Sequence, residues 1–245
     1  MPGGLDHEIA DAFGECVIKG LAATGLEPKD IECGHVGNFV AELFASQGIL
    51  GGFFGLVHPD FDGMPTARHE GACASGSLAI LAAAAEIEAG RYGLACVLGI
   101  EQMRNVSGGV AAQHLGTAAW TGHEFQDATY LWPRAFSDLG EEYERRWGLK
   151  YEHLMRISEI NFANAKRNPN SQTRGWKFGP ESFTANEAAN PVVEGMIRKQ
   201  DCGQVTDGAA MVVLASPERA AVSTVNSRQR AATPSIVRRL AIRAG

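Results

Sequence analysis

The sequence lacks several features that would place it in a specialised class of protein. No two of its five cysteines, at positions 16, 33, 73, 96 and 202, are spaced as Cys-x-x-Cys. An odd number of scattered cysteines argues against a disulfide scaffold or a zinc ribbon and suits a reducing cytoplasm. No apolar run approaches the ~18 residues that a membrane span needs, and the amino terminus lacks the basic and apolar regions of a signal peptide. We therefore expect a cytoplasmic protein without a membrane span.

Basic charge is also scarce. The chain has 22 lysines and arginines against 28 aspartates and glutamates, a net charge of −6. With no basic face evident in the body of the chain, this balance argues against nucleic acid as the main partner. The 245 residues, 45% of them hydrophobic, fit one large domain or two small ones. A chain of this length can bury about 70–75% of its extended surface, so a sizeable core is expected.

Hydrophobic periodicity predicts an alternation of helices and strands. The predicted helices cover 5–24, 78–89, 136–147 and 151–166, and the predicted strands cover 31–39, 94–100 and 208–216. The helix at 78–89 is apolar on nearly every side, so we expect it to be buried. The alternation predicts an α/β domain with a largely parallel sheet.

Changes of composition divide the chain into four parts. Residues 1–104 hold the first strands and helices, and 206–217 return to a buried strand. Between them, 105–205 contain all four tryptophans and form an inserted or lobed region. Residues 218–245 contain six arginines with no aromatic residue, and no acid follows Ala220, which is typical of a solvated, disordered or aberrant tail.

Cys73 is the strongest candidate for chemistry. It lies in the run Gly71-Ala-Cys-Ala-Ser-Gly-Ser77, directly before the predicted helix at 78–89. A thiol at the first turn of a helix faces unpaired backbone N–H groups and the positive end of the helix dipole, and both favour thiolate over thiol. This local pattern indicates a nucleophilic cysteine at a strand-turn-helix corner. The alternative is a small buried cysteine beside a packed helix.

Two other constellations around Cys73 are weaker. The spacing Gly71-x-Cys73-x-Ser75-Gly76 falls one position short of the nucleophile elbow of an α/β-hydrolase. His69 and Glu70 are ligand-type residues close to Cys73, but neighbours on a strand point to opposite faces. His69 is therefore expected to be a packed or hydrogen-bonded histidine, and no metal site is expected.

Four stretches of the chain resemble thiolases. They are Gly71-Ala-Cys73-Ala-Ser75-Gly76, Gly99-Ile-Glu-Gln-Met103, Asn190-Pro191 leading to Asp201-Cys202, and Gln204-Val-Thr-Asp-Gly-Ala-Ala210. Within this superfamily the chain is most similar to the first half of sterol carrier protein X-type thiolases and acetyl-CoA acetyltransferases, over about residues 5–216. The resemblance implies half of the layered αβαβα fold, with 105–205 as the loop domain that lies over coenzyme A.

The resemblance also implies a function. Cys73 would be the nucleophile that accepts an acyl group from an acyl-CoA or a 3-ketoacyl-CoA through a thioester, a reaction of lipid metabolism. Coenzyme A thioesters would be substrates, and no covalently bound cofactor is expected. The resemblance implies that Arg167, Arg174 and Lys177 could meet the nucleotide phosphates, although for any single one of them a solvated face is the favoured explanation. Members of the family are usually dimers or tetramers, which implies a homo-oligomer here.

The sequence departs from the family in its extent. The second half of a thiolase carries a Gly-His-Pro histidine that activates the nucleophile, and no histidine follows His153 here. The strand that opens the family's fold, in the middle of the sheet, has no counterpart before the first helix. These departures suggest a truncated or frame-disrupted thiolase chain that needs another chain for the missing half. The alternative function is a non-catalytic thiolase-like half, either a binding or assembly subunit or a fragment.

Overall fold

The protein is described by a computed structural model that covers residues 8–221. The helices, in chain order, are α1 (Ile9–Thr24), α2 (Ala41–Phe44), α3 (Phe53–Val57), α4 (Ser75–Glu88), α5 (Gly108–Gly116), α6 (Leu131–Trp147) and α7 (Tyr151–Arg167). The strands are β1 (Cys33–Gly37), β2 (Thr66–His69), β3 (Leu94–Glu101), β4 (Val192–Glu194), β5 (Ile197–Arg198) and β6 (Gly208–Ala215). The described residues divide into two compact units, one formed by 8–105 with 206–221 and the other by 106–205.

The first unit is built on a four-stranded sheet in the order β2-β1-β3-β6. Strands β2, β1 and β3 run parallel, and β6 returns antiparallel to β3 along its whole length. The prediction of an α/β fold with a mostly parallel sheet is confirmed.

The middle of this sheet is continuous. The resemblance to thiolases implies a further strand there, and the absence of that strand would leave buried backbone groups unpaired. The described sheet has no such gap, because β1 pairs directly with β3 from Cys33 opposite Ala95 to Gly37 opposite Gly99. The backbone groups that a missing strand would have exposed are therefore used within the described sheet.

The two faces of the sheet have different cores. Alternate residues of β3 point to opposite sides, as the pleat requires. Cys96, Leu98 and Ile100 pack with the apolar stripe of α1, whereas Ala95 and Val97 pack on the other side. The α1 side holds large side chains, with Phe13 edge-on to Phe54 at 4.9 Å between ring centroids. The α4 side is lined by small residues that let the helix approach the strands closely.

Helix α4 is buried along a single line. Its fully buried positions are Ser75, Ala79 and Ala83, which face the sheet. Leu78 and Leu81 lie on the outer side and are 40% and 65% exposed. The expectation that this helix is buried on nearly every side is therefore wrong, and its outer face is an uncovered apolar surface among the described residues.

The second unit contains α5, α6, α7 and the β4–β5 hairpin. Helices α6 and α7 contain the predicted ranges, and α6 begins five residues earlier, at Leu131. An aromatic cluster forms where Phe178 packs against Phe162 and Phe183, with ring centroids 4.6 and 5.0 Å apart. Helix α5 has no counterpart among the sequence predictions.

Some sequence predictions fall at or beyond the limits of the structure. The apolar stripe of α1 is confirmed at Ile9, Phe13, Val17 and Leu21, whereas Leu5 lies outside the described residues. Residues 217–221 are helical, and the rest of the predicted tail, 222–245, lies outside the described part of the chain. Within residues 8–221, no helix has both the length and the apolar character to cross a membrane.

The contact between β1 and α4 can be tested by adding one methyl group. A Cβ on Gly37 would lie 2.6 Å from the Cα of Gly76 and 2.7 Å from its backbone nitrogen. Backbone atoms cannot yield as a side chain can, so Gly37→Ala is expected to displace the start of α4 and to lower the free energy of unfolding by about 1–3 kcal/mol. Chemical denaturation of the full chain measures this change.

The sheet supplies a matched control for this substitution. Gly99 is the register partner of Gly37 on β3, and a Cβ placed there meets no atom within 4 Å. Gly99→Ala is expected to change the free energy of unfolding by less than about 0.5 kcal/mol. Equal losses in the two variants would show that the approach of Gly37 to Gly76 is not the reason for glycine at that position.

Candidate active site

Cys73 lies on a strained turn between β2 and α4. Residues Ala72–Ala74 form one turn of 3₁₀-helix that leads directly into α4. Ala72 adopts a left-handed conformation with φ of +49°, which costs a residue with a Cβ about 1–2 kcal/mol. The Cys73 side chain is exposed. Its exposure excludes the alternative of a packed core cysteine for the described fold.

Hydrogen bonds hold this turn in place on both sides of Cys73. The buried Ser75 hydroxyl accepts from the backbone N–H of Gly71 at 3.0 Å and donates to the carbonyl of Ala72 at 2.6 Å. The Glu70 carboxylate accepts from the N–H of Ala72 at 2.6 Å. These bonds offset the strain at Ala72 and fix the backbone that presents the thiol.

The amino-terminal end of α4 adjoins Cys73. The N-cap residue is Ala74, which has no side-chain oxygen, so no side chain caps the first N–H groups of the helix. The N-cap position ordinarily favours Ser, Thr, Asp or Asn. An uncapped helix start leaves donors and the positive end of the helix dipole available to a bound molecule.

The other four cysteines differ from Cys73 in their surroundings. Burial raises the pKa of both Cys33 and Cys96 to about 12. Burial is also the largest cause of the raised pKa of Cys16 and of Cys202. Cys33 and Cys96 are buried, Cys16 and Cys202 are partly buried, and Cys73 is the exposed thiol among the five.

A second group of polar residues lies where β1 and β3 end. The Asn38 amide donates to the carbonyl of Ile100 at 2.7 Å and to the Glu101 carboxylate at 3.0 Å. Glu101 also accepts from the N–H of Phe39 at 2.6 Å. Burial raises the pKa of Glu101, and the hydrogen bond from Phe39 opposes this shift. The pair locks the carboxyl ends of the two parallel strands together.

Asp207 joins the same edge of the sheet from β6. Its carboxylate accepts from the backbone N–H groups of Met103 and Arg104 at 2.7 and 2.8 Å. Two of the thiolase-like stretches, 99–103 and 204–210, therefore meet through this side chain. The backbone N–H of Asn38 bonds the carbonyl of His69 at 3.2 Å, which ties this edge to the strand that leads to Cys73.

The remaining thiolase-like stretch, 190–202, has a structural role in the second unit. The fully buried Asn190 accepts from the N–H of Gln200 and donates to the carbonyl of Thr184, both at 3.0 Å. The Asp201 carboxylate accepts from the Tyr151 hydroxyl at 2.7 Å and contributes to the raised pKa of that hydroxyl. These bonds fasten the β4–β5 hairpin to the start of α7.

The three basic residues proposed for phosphate binding are all exposed in the second unit. Arg167 ends α7, and Arg174 and Lys177 lie in the segment that follows. Lys177 lines an open groove of about 410 Å³ whose other walls include Trp176, Phe178 and Lys199. The structure does not bring Arg167 or Arg174 to this groove. Lys199 was missed by sequence reasoning.

Comparison with curated proteins identifies similar chains. An acetyl-CoA acetyltransferase of Methanocaldococcus jannaschii is 31% identical over 209 residues, which are 84% of this chain and 50% of that protein. One of Methanothermobacter thermautotrophicus is 28% identical over 216 residues, 88% of this chain and 54% of that protein. Sterol carrier protein 2 of Rattus norvegicus is 25% identical over 228 residues, 89% of this chain and 39% of that protein. A comparison with models of known protein families gives no match.

Solved structures share the fold. An Acat5 thiolase from Ascaris suum, solved with coenzyme A, superposes with a TM-score of 0.64 at 18% identity and covers 91% of this chain and 64% of its own. The chain is thiolase-like. An Ltp2-ChsH2 aldolase superposes with a TM-score of 0.65 at 20% identity, covering 89% of this chain and 53% of its own. The resemblance inferred from the motifs is thus confirmed, and the thiolase-like chain spans about half the length of the curated relatives it matches.

Sequence reasoning missed the polar contacts at the strand ends. Asn38 follows β1 and Glu101 ends β3, 63 positions apart in sequence. The carboxyl ends of neighbouring parallel strands meet at one edge of a sheet, and this rule could have paired the two residues. The 2.6 Å bond from Ser75 to Ala72 has no comparable signal, because a serine in a turn has several local acceptors.

The exposure of Cys73 predicts selective alkylation. With limiting iodoacetamide, Cys73 is expected to react at least about tenfold faster than each of the other cysteines, because those thiols are shielded and their raised pKa values disfavour the thiolate. Peptide mapping by mass spectrometry gives the five rates. In denaturant the rates should converge, and equal rates in the folded protein would contradict the assignment.

The burial of Glu101 predicts a pH-dependent stability. Its pKa is raised in the folded state, so the folded protein holds the proton to higher pH than the unfolded chain. The associated stability is therefore present below the ordinary glutamate pKa and is lost as pH rises through the raised one. Relative to Glu101→Gln, the wild type is expected to lose stability as pH rises above the ordinary glutamate pKa of about 4.3, as measured by denaturation at each pH. Glu88→Gln, on the exposed side of α4, is the control. If the wild type also lost the same amount of stability relative to Glu88→Gln, the pH dependence could not be assigned to Glu101.

Proposed function

We propose that this chain is the nucleophile-bearing half of a thiolase-type acyltransferase and that Cys73 accepts the acyl group. The observation that supports this best is the geometry of the turn. An exposed thiol stands on a strained backbone that Ser75 and Glu70 hold in place, at the uncapped start of a helix. Fold likeness alone does not choose the chemistry, since an aldolase shares the fold. The similarity to two acetyl-CoA acetyltransferases favours acyl transfer.

The proposed reaction is an exchange of thioesters. The Cys73 thiolate attacks the carbonyl carbon of an acyl-CoA or a 3-ketoacyl-CoA. For an acyl-CoA, the carbon–sulfur bond to coenzyme A breaks and coenzyme A leaves as its thiol. For a 3-ketoacyl-CoA, attack at the 3-keto carbon breaks the carbon–carbon bond, and a shortened acyl group stays on the enzyme while acetyl-CoA leaves. Coenzyme A thioesters enter this scheme as substrates, without a covalently bound cofactor.

We infer that two catalytic contributions, the general base and at least part of the set of oxyanion donors, come from outside the described residues. Attack needs a base to take the thiol proton and donors to stabilise the oxyanion, and each is typically worth orders of magnitude in rate. No histidine follows His153, and in the described structure His35 is buried and bonded to Glu86 and His69. We infer that a second thiolase half supplies these groups.

The outer face of α4 is the surface we assign to that second half. Leu78, Leu81 and Ala85 lie on one side of the helix at three- and four-residue spacing, and all three are exposed. Leu78 lies little more than one helical turn beyond Cys73. An apolar surface of this kind marks a protein contact more often than a solvated face, and here a covering partner would also approach the nucleophile.

The groove of the second unit is the candidate surface for the nucleotide part of coenzyme A. Lys177 and Lys199 supply positive charge, and Trp176 and Phe178 supply flat apolar surface. Phosphates and a purine are recognised by these two kinds of group. Arg167 and Arg174 remain exposed candidates outside the groove.

A second function is kept because of the same missing groups. A thiolase-like half with no general base could serve as a binding or assembly subunit. The exposed apolar face of α4 favours this function as much as it favours the first, because both need a partner. They differ in whether Cys73 is acylated.

Acetyl-CoA distinguishes the two functions. Incubation of the full chain is expected to place one acetyl group per chain on Cys73, with release of an equal amount of coenzyme A and no sustained turnover. Mass spectrometry locates the adduct, and a thiol reagent follows the release. Cys73→Ala should abolish the adduct, and Cys16→Ala should keep it.

The other outcomes are equally informative. A chain that iodoacetamide alkylates at Cys73 but acetyl-CoA does not acylate would support the non-catalytic half. An acetyl group on another cysteine would contradict the role of Cys73. Sustained release of coenzyme A would show that the chain needs no second half.

A further inference from the structure

A buried polar cluster lies between β1 and α4, on the side of the sheet that carries Cys73. Cys33 and His35 are two residues apart on β1, so both side chains point to α4, and Glu86 faces them from the helix. Cys33 Sγ lies 3.8 Å from His35 Nε2, which lies 3.0 Å from Glu86 Oε2. The three ligand-type atoms all lie within 4.8 Å of one another. Cys33 and His35 are 2% and 3% exposed, respectively.

His69 fixes the orientation of His35. Its Nε2 lies 2.9 Å from His35 Nδ1, and the two rings stack with centroids 5.1 Å apart. With Nδ1 engaged, His35 directs Nε2 at Cys33 and Glu86. Metal-binding histidines are typically held in this way by a partner on the second ring nitrogen.

We propose that Cys33, His35 and Glu86 form a binding site for a divalent cation of the zinc type. One thiolate, one imidazole and one carboxylate suit zinc, which prefers four ligands at tetrahedral angles. Bond lengths of 2.0–2.3 Å at such angles place ligand atoms about 3.4–3.6 Å apart. The distances of 3.8 and 3.0 Å lie on either side of this range, and the third pair, Cys33 Sγ and a Glu86 carboxylate oxygen, lies within 4.8 Å, so adjustment of the side chains completes the site. A water molecule takes the fourth position, from the side of the half-buried Glu86.

Charge balance is consistent with the assignment. A divalent cation offsets one thiolate and one carboxylate, so the buried cluster is neutral overall with His35 neutral. Binding releases the Cys33 proton to solvent. His35 Nε2 then binds the cation in place of its hydrogen bond to Glu86, so the ring proton of His35 lies on Nδ1 and is donated to His69 Nε2, and His69 carries its own proton on Nδ1.

A cation in this site would connect β1 to α4, the helix that begins at the Cys73 turn. Two ligands belong to β1 and the third to α4, so the cation ties the middle of the sheet to the last turn of the helix. The sequence predicts no metal site, because the ligand-type residues near Cys73, His69 and Glu70, are neighbours on a strand and point to opposite faces. This proposal does not depend on acyl transfer by Cys73.

Zinc binding by the full chain tests the proposal. Competition with a chromophoric zinc chelator is expected to show one site per chain, and Glu86→Gln should weaken binding at least tenfold. Glu88→Gln, on the same helix and exposed, should leave binding unchanged. Thermal unfolding should shift upward with zinc in the wild type and in Glu88→Gln, but not in Glu86→Gln.

Cobalt(II) reports on the thiolate ligand directly in the wild-type fold. The near-ultraviolet charge-transfer band from thiolate to cobalt is expected in the wild type and in Cys73→Ala, and it should vanish in Cys33→Ser. Circular dichroism confirms that each variant is folded. No competition with the chelator, equal binding by Glu86→Gln, or a band that depends on Cys73 rather than Cys33 would each overturn the proposal and leave the cluster as a hydrogen-bonded network.

Discussion

The close contact between the end of β1 and the start of α4 is the constraint on which the rest of the first unit depends. Gly37 and Gly76 approach so nearly that neither a side chain nor a water molecule fits between them. Small buried residues, Ala79 and Ala83, continue this approach along the helix. The helix start is therefore fixed relative to the carboxyl ends of the parallel strands. Because the turn that carries Cys73 is covalently part of that helix start, its position follows from this packing contact together with the hydrogen bonds of Ser75 and Glu70.

Polar residues lie on the same side of the sheet, farther along the helix. There His35 of β1 and Glu86 of α4 form a hydrogen bond of 3.0 Å. On the opposite side of the sheet the residues are large and apolar, with Phe13, Val17 and Leu98 completely buried. The large apolar side chains on the α1 side thus stabilise the unit, whereas the small residues on the α4 side set the position of the helix.

The sequence predicts most of the framework because periodicity reports local burial. The ranges of α1, α7, β3 and β6 agree with the structure to within a residue or two at their described ends. Prediction from periodicity fails where the burial of a side chain depends on elements that are distant in sequence. Helix α4 reads as apolar on all sides, yet a single line of small residues meets the sheet, and periodicity cannot show that a covering layer is absent from the described residues.

The candidate site shows the same difference between local features, which the sequence predicts, and contacts between distant residues, which it does not. Cys73 could be identified because a cysteine in a glycine-rich turn before a helix is a local pattern, and the thiolase-like stretches add to it. The contacts that shape its surroundings are not local. Asn38 lies beside Glu101 because β1 pairs with β3, and Cys33 lies near Glu86 because α4 packs on β1. Spacing within a strand still carries a signal, since residues two apart share a face, and Cys33 with His35 is such a pair. The third member could be found only once α4 was placed on that face.

The two faces of α4 together define what this half of a thiolase-like fold contains and what it lacks. The inner face sets the position of the thiol through Gly76, Ala79 and Ala83, and none of these contacts requires another chain. The outer face, with Leu78 and Leu81 exposed, contributes nothing to the described core. A partner that covers the outer face would therefore add groups to the proposed nucleophile, Cys73, whose position is already set within the described residues. This separation explains why acylation of Cys73 and turnover are distinct expectations for the chain.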